Sequence, residues 1–142
     1  MHTVFILRDA LAGSLLTTLY YAMESRKQGQ TASVIFTGSA LQALVQGVFL
    51  WPVDLQEQPI KWVIADNAKN MGLPTRGRGQ WRQMDVAEMV GLAAKGGVAL
   101  YACPLWTELL GHKDRLPPGV GKLETADALA LVAKADKVIG AW

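Results

Sequence analysis

The chain opens with two continuous apolar runs, each followed by an apolar pattern of a different period. Residues 3–7 (TVFIL) are uninterrupted and stop at the charged pair Arg8 and Asp9, as expected of a strand buried on both faces of a parallel sheet. Leu15, Leu16, Leu19, Tyr20 and Met23 then recur at spacings of one, three and four, the stripe of an amphipathic helix. It fades into Glu24, Ser25, Arg26 and Lys27, with Gly29 as its stop. Residues 32–36 (ASVIF) repeat the strand signature and close on Thr37, Gly38 and Ser39, after which Leu41, Leu44, Val45 and Val48 form a second helical stripe. Two strand–turn–helix units in succession imply parallel pairing through right-handed crossovers.

Pro52, Pro59 and Pro74 bracket a stretch whose one apolar run, residues 62–65 (WVIA), suits a strand or a short helix, with a strand or irregular segment the favoured reading. Asp85 then starts a helix: Glu88 follows three residues later, as in a capping box, and Val86, Met89, Val90 and Ala93 form the stripe before Gly96 and Gly97 end it. Residues 98–102 are the next strand, with Cys103 at its end. Pro104 suits the first turn of a helix that Gly111 closes. A loop holding Pro117, Pro118 and Gly119 leads to a final helix from about Thr125 to Ala135, and residues 137–142 (KVIGAW) read as a terminal strand. The expected fold is α/β: three α/β/α layers around a mostly parallel sheet of four to five strands, with four or five helices, flavodoxin-like in outline.

Composition narrows this picture. The 142 residues suit one domain spanning 1–142, and 51% hydrophobic against 18% charged residues supply a sizeable core. Fourteen basic and 12 acidic residues leave a formal charge of only +2, so a strongly basic nucleic-acid wrapper is excluded and no nucleic-acid partner is expected. No apolar run approaches the roughly 18 residues of a membrane helix, and the opening MHTVFILRDALAG lacks a basic leader. A cytoplasmic protein without a membrane span is the expectation. A single cysteine excludes an intramolecular disulfide, a CxxC redox pair and a multi-cysteine zinc site. No metal and no cofactor are expected.

Ligands of open α/β sheets bind beyond the carboxyl ends of the strands. The candidates are therefore Arg8 and Asp9, Thr37, Gly38 and Ser39, and Cys103 with Pro104. Cys103 stands where a strand gives way to a helix, and the free N–H groups of a helix N-terminus favour an anionic sulfur. Against this, free cysteine is among the residues most often simply packed in a core. Without a resolving partner, a lone thiolate can still carry a group as a persulfide, mixed disulfide or thioester. A cysteine hydrolase needs a histidine base. His112 stands past the end of a short helix and His2 at the far end of the first strand, so both read as surface or satisfied-core residues.

Residues 69–82 (KNMGLPTRGRGQWR) carry Lys69, Arg76, Arg78 and Arg82 with no acid and read as a basic loop. Its arginines, Arg76 and Arg78 first, suit an anionic substrate or partner; a solvated loop is the plainer alternative. Among five tryptophans, Trp51 and Trp81 lie in polar or proline-bounded surroundings, where exposed aromatics suit a subunit interface. No P-loop is present, and no GxGxxG follows the first strand.

The run GVALYACPLWTELLG, residues 97–111, resembles the DsrE-like family of small sulfur-handling proteins. That family places a cysteine at the end of a strand, often in a G-V-x-x-x-x-C pattern, before a helix with a glycine near its end. Those features fall here on Gly97, Val98, Cys103 and Gly111. TVFILRDAL, ASVIFTGSAL and the closing GVGKLETADALALVAKADKVIGAW agree in outline, and the likeness is weakest at residues 50–82. The resemblance implies a sheet flanked by helices on both faces, assembly into homo-oligomers such as trimers or hexamers, and Cys103 as a persulfide carrier between a sulfane-sulfur donor and an acceptor thiol protein. Arg8, Thr37, Gly38, Arg76 and Arg78 are then candidates for binding an anionic donor. The alternatives are a non-catalytic oligomeric module that binds a ligand or partner, with Cys103 merely packed, and, ranked last, a nucleotide-binding flavodoxin-like domain.

Overall fold

The computed structural model describes residues 1–57, 59–74 and 85–140. In chain order these form β1 (His2–Leu7), α1 (Ala12–Lys27), β2 (Thr31–Phe36), α2 (Ser39–Gln46), a 3-10 turn (Val53–Leu55), α3 (Ile60–Asn70), α4 (Val86–Lys95), β3 (Ala99–Ala102), α5 (Pro104–Leu110), β4 (Val120–Lys122), α6 (Thr125–Lys134) and β5 (Lys137–Ile139). One five-stranded sheet runs in the order β4-β3-β2-β1-β5, and all its pairings are parallel. The chain steps outward from β1 to β4, then crosses to the far side of β1 for β5. The fold is the three-layer α/β/α arrangement expected.

The central strands are mostly apolar because both of their faces are covered, with Thr3 and Ser33 as buried polar exceptions. Phe5, Leu7, Val34, Phe36, Leu100 and Ala102 face a core completed by Leu15 and Leu19 of α1, Leu41 and Leu44 of α2, and Met89 and Val90 of α4. Fully burying each of the larger of these side chains, Ala102 excepted, is worth about 1.5–3 kcal/mol. The alternate residues Val4 and Ile35 turn to the other face, where Leu123 joins them and Ala128, Leu131 and Ala135, within or just after α6, pack over them. On that face Tyr101 lies against Gly121, its register partner in β4; a Cβ on Gly121 would stand 3.3 Å from the ring.

Helix boundaries follow the expected chemistry. Asp85 caps α4 by accepting the Glu88 N–H at 3.0 Å. The reciprocal arm of the capping box is replaced, since the Asp85 N–H donates to the Pro74 carbonyl. Gly111 ends α5 in the left-handed conformation.

Three expectations are corrected. Residues 62–65 are not a strand but part of α3, whose buried positions are Ala65 and Ala68 at helical spacing. Lys69 accordingly lies in that helix rather than in a loop. The fifth strand is instead β4, a three-residue segment that carries no apolar pattern of its own. Trp51 is buried, only 6% exposed within the main core, so it is no exposed interface aromatic. Arg76, Arg78, Trp81 and Arg82 lie outside the described residues.

Candidate functional site

The register Leu7↔Phe36↔Ala102 aligns the carboxyl ends of three neighbouring strands, so Arg8, Thr37 and Cys103 leave the sheet side by side. The ladder continues one rung further: the Thr37 N–H donates to the Leu7 carbonyl at 3.0 Å and the Cys103 N–H to the Phe36 carbonyl at 2.9 Å. Two strand spacings put the Cys103 backbone about 10 Å from that of Arg8. The Ala40 N–H donates to the Arg8 carbonyl at 3.2 Å, tying the first turn of α2 to the same edge.

Cys103 is half-buried and forms the N-cap position of α5, with Pro104 supplying the first helical residue. No side chain caps this helix. The Cys103 carbonyl is held twice by Thr107, from its N–H at 2.9 Å and from its hydroxyl at 2.7 Å. Thr107 is fully buried, so the backbone carrying the thiol is firmly anchored. The cysteine side packs against the Val4, Ile35 and Leu123 cluster, on the face covered by α6.

Arg8 and Gly38 belong to a different space. Between α2 and α5 lies an open cavity of about 600 Å³, bordered by Arg8, Gly38, Ser39, Gln42, Trp106 and Leu110 among others. Neither Cys103 nor Thr37 is among the described residues lining it. Gly38 has φ +56°, and a Cβ there would stand 3.9 Å from the Trp106 ring. The positive φ favours glycine at this turn, and the ring of α5 rests over it. The Asp9 carboxylate accepts from the Leu11 N–H and the Ser14 hydroxyl, both at 3.0 Å. Among the described residues the Arg8 side chain has no ion pair or hydrogen bond.

Both histidines have structural partners. His2 sits between the hydroxyls of Thr31 at 2.6 Å and Ser33 at 3.2 Å. His112 is buried, and its Nε2 lies 2.6 Å from Oε1 of Gln42. Ser39 was among the strand-end candidates and lines this cavity, whereas Gln42, Trp106 and Leu110 were not singled out by sequence reasoning. Gln42 and His112 are 70 positions apart, and no local pattern announces their pairing. Among the described residues no group of three or more His, Cys, Asp or Glu is gathered to hold a metal ion, and no helix is long and apolar enough to cross a membrane.

The fold matches that of the YchN protein from E. coli, a protein of DsrE-like fold. The TM-score is 0.61, the identity 16%, and the match covers 99% of this chain and 100% of that one. No family model and no curated protein sequence matches the chain.

Proposed function

We propose that the protein is a sulfur carrier that takes up sulfane sulfur on Cys103 and passes it to an acceptor thiol in sulfur relay or sulfur oxidation. The observation that carries this reading is the position of Cys103: a half-buried thiol at the carboxyl edge of the sheet, heading an uncapped helix on a doubly held backbone. The DsrE-like fold of the structural neighbour and the pattern of Gly97, Val98, Cys103 and Gly111 support the same reading.

In the proposed reaction the Cys103 thiolate attacks the sulfane sulfur of a donor. The new Sγ–S bond forms as the donor's bond to that sulfur breaks, and the electron pair leaves with the departing group, sulfite from thiosulfate or a thiolate from a persulfide. An acceptor thiolate then attacks the terminal sulfur and releases the Cys103 thiolate, so the carrier undergoes no net oxidation. The first-turn N–H groups of α5, which no side chain caps, favour the anion before and after loading. Arg8, beside Thr37 and Gly38 at the same edge but bordering a different space, and Arg76 and Arg78 of the basic segment add only long-range attraction for an anionic donor.

Intact mass measured before and after incubation with thiosulfate, polysulfide or glutathione persulfide tests this. Wild type gains one sulfur atom that a reductant removes, and Cys103→Ser gains none. Loading retained in the variant, or a wild-type thiol inert to every donor and to alkylation, overturns it.

A second reading rests on the apolar packing of Cys103 with Val4, Ile35 and Leu123: an oligomeric binding module with a structural cysteine. Both readings include self-association, supported by Leu105 and Leu109 on α5, Leu129 on α6 and Val138 on β5, each between 46% and 68% exposed.

A further inference from the structure

We propose that the cavity between α2 and α5 is a binding site for a small organic anion, a carboxylate or sulfonate attached to an apolar body, and that it operates independently of Cys103. Three observations converge on this.

The first is charge. Arg8 borders the cavity, and its guanidinium has no anionic partner among the described residues, because the neighbouring Asp9 carboxylate is committed to Leu11 and Ser14. No carboxylate side chain is among the described residues lining the space. An unopposed arginine at the mouth of a concave site suits the planar, two-oxygen face of a carboxylate or sulfonate.

The second is orientation. An amide oxygen only accepts, so in the 2.6 Å contact between His112 and Gln42 the histidine Nε2–H is the donor. That contact fixes the direction of the Gln42 side chain and leaves its amide N–H groups as the end available to the cavity it lines. His112 is only 6% exposed, and its Nδ1 is buried without a partner. A buried imidazole left half-satisfied costs stability. What the fold obtains in exchange is a preset donor facing the same space as Arg8. Ser39 adds a hydroxyl beside it.

The third is shape. Trp106 and Leu110 of α5 form one wall, Trp106 resting over the Gly38 turn, and about 600 Å³ falls in the range of small-molecule sites. Inorganic sulfate or phosphate would leave that wall unused, whereas an aromatic or acyl body would cover it. Since Cys103 faces the α6 side instead, the ligand is not the group that loads the thiol.

The test uses 2-naphthoate and naphthalene-2-sulfonate as probes, with 2-naphthamide as the neutral control, titrated into the full-length protein and followed by amide NMR shifts. Wild type and Cys103→Ser are expected to saturate alike, with shifts at Ser39, Gln42 and Trp106 and about tenfold weaker binding of the neutral probe. Arg8→Gln, an exposed substitution, loses about tenfold for the anions and leaves the neutral probe unchanged. Gln42→Glu keeps an acceptor for His112 but replaces the donors with a negative charge, and abolishes anion binding. His112→Phe retains the apolar affinity but loses the preference for anion over neutral probe, which a purely structural role would not alter. Absence of saturable shifts, equal binding of the neutral probe, an unaffected Arg8→Gln variant, or shifts confined to Leu105, Leu109 and Leu129 overturns the proposal. Because Cys103→Ser is expected to bind normally, failure here is distinct from failure of sulfur loading.

Discussion

The guanidinium of Arg26 lies directly against Gly97: a Cβ at that glycine would stand 2.9 Å from Nε of Arg26. The same arginine donates from Nη1 to the Gln30 carbonyl at 3.1 Å, and its Nε is buried without a partner. Gly97 itself has φ +88°. The glycine that opens the strand leading to Cys103 is thus required by backbone conformation and by close approach together. Gly97→Ala is expected to destabilise the protein by about 1–2 kcal/mol through the left-handed backbone alone. Chemical denaturation checks this, and an unchanged midpoint would show that the turn relaxes freely.

Asp85→Ala removes the side-chain acceptor of the Glu88 N–H and is expected to cost about 1 kcal/mol. The loss should reach the whole sheet, because Met89 and Val90 of the capped helix belong to the main core. Asp85→Asn restores most of the stability, and a thermal melt of the three proteins distinguishes the cap from the charge.

Phe36 is fully buried at the end of β2, in the main core beneath the rung that holds Cys103. Phe36→Ala is expected to cost about 3–5 kcal/mol and to leave little folded protein at ambient temperature. A variant that melts within a few degrees of wild type would mean that the core collapses around the gap.

Leu109→Glu together with Leu129→Glu places two charges on the exposed apolar positions of α5 and α6. If these helices form the contact between copies, sedimentation velocity shows the assembly replaced by monomer while circular dichroism is unchanged. Assembly that survives both charges assigns the contact elsewhere.

The parts of the fold that were legible in the sequence are those whose burial is two-sided. β1, β2 and β3 had to be apolar at successive positions because helices cover both faces, and Cys103 could be placed because β3 ends where Pro104 begins a helix. The run WVIA misled because contiguous apolarity is not burial: Val63 is 53% exposed, and α3 is held through Ala65 and Ala68 instead. β4 was invisible because three residues with a central glycine acquire strand identity only from their register against Leu100, Tyr101 and Ala102. The thiol's location was readable along the chain, whereas the cavity was not, since it depends on Gln42 and His112 meeting across 70 positions.

α6 covers the thiol face without fully burying a single one of its own side chains. Little apolar surface therefore resists its detachment, and sub-global opening there costs far less than unfolding the sheet. A bulky alkylating reagent should consequently modify Cys103 with a weak denaturant dependence, well below that of global unfolding. Amide protons of α6 should exchange with solvent before those of β1 and β2. A bulky reagent that reacts as fast as a small one would show that the half-buried sulfur is reached without α6 moving, and a slower one that α6 sets how large a molecule the sulfur can meet.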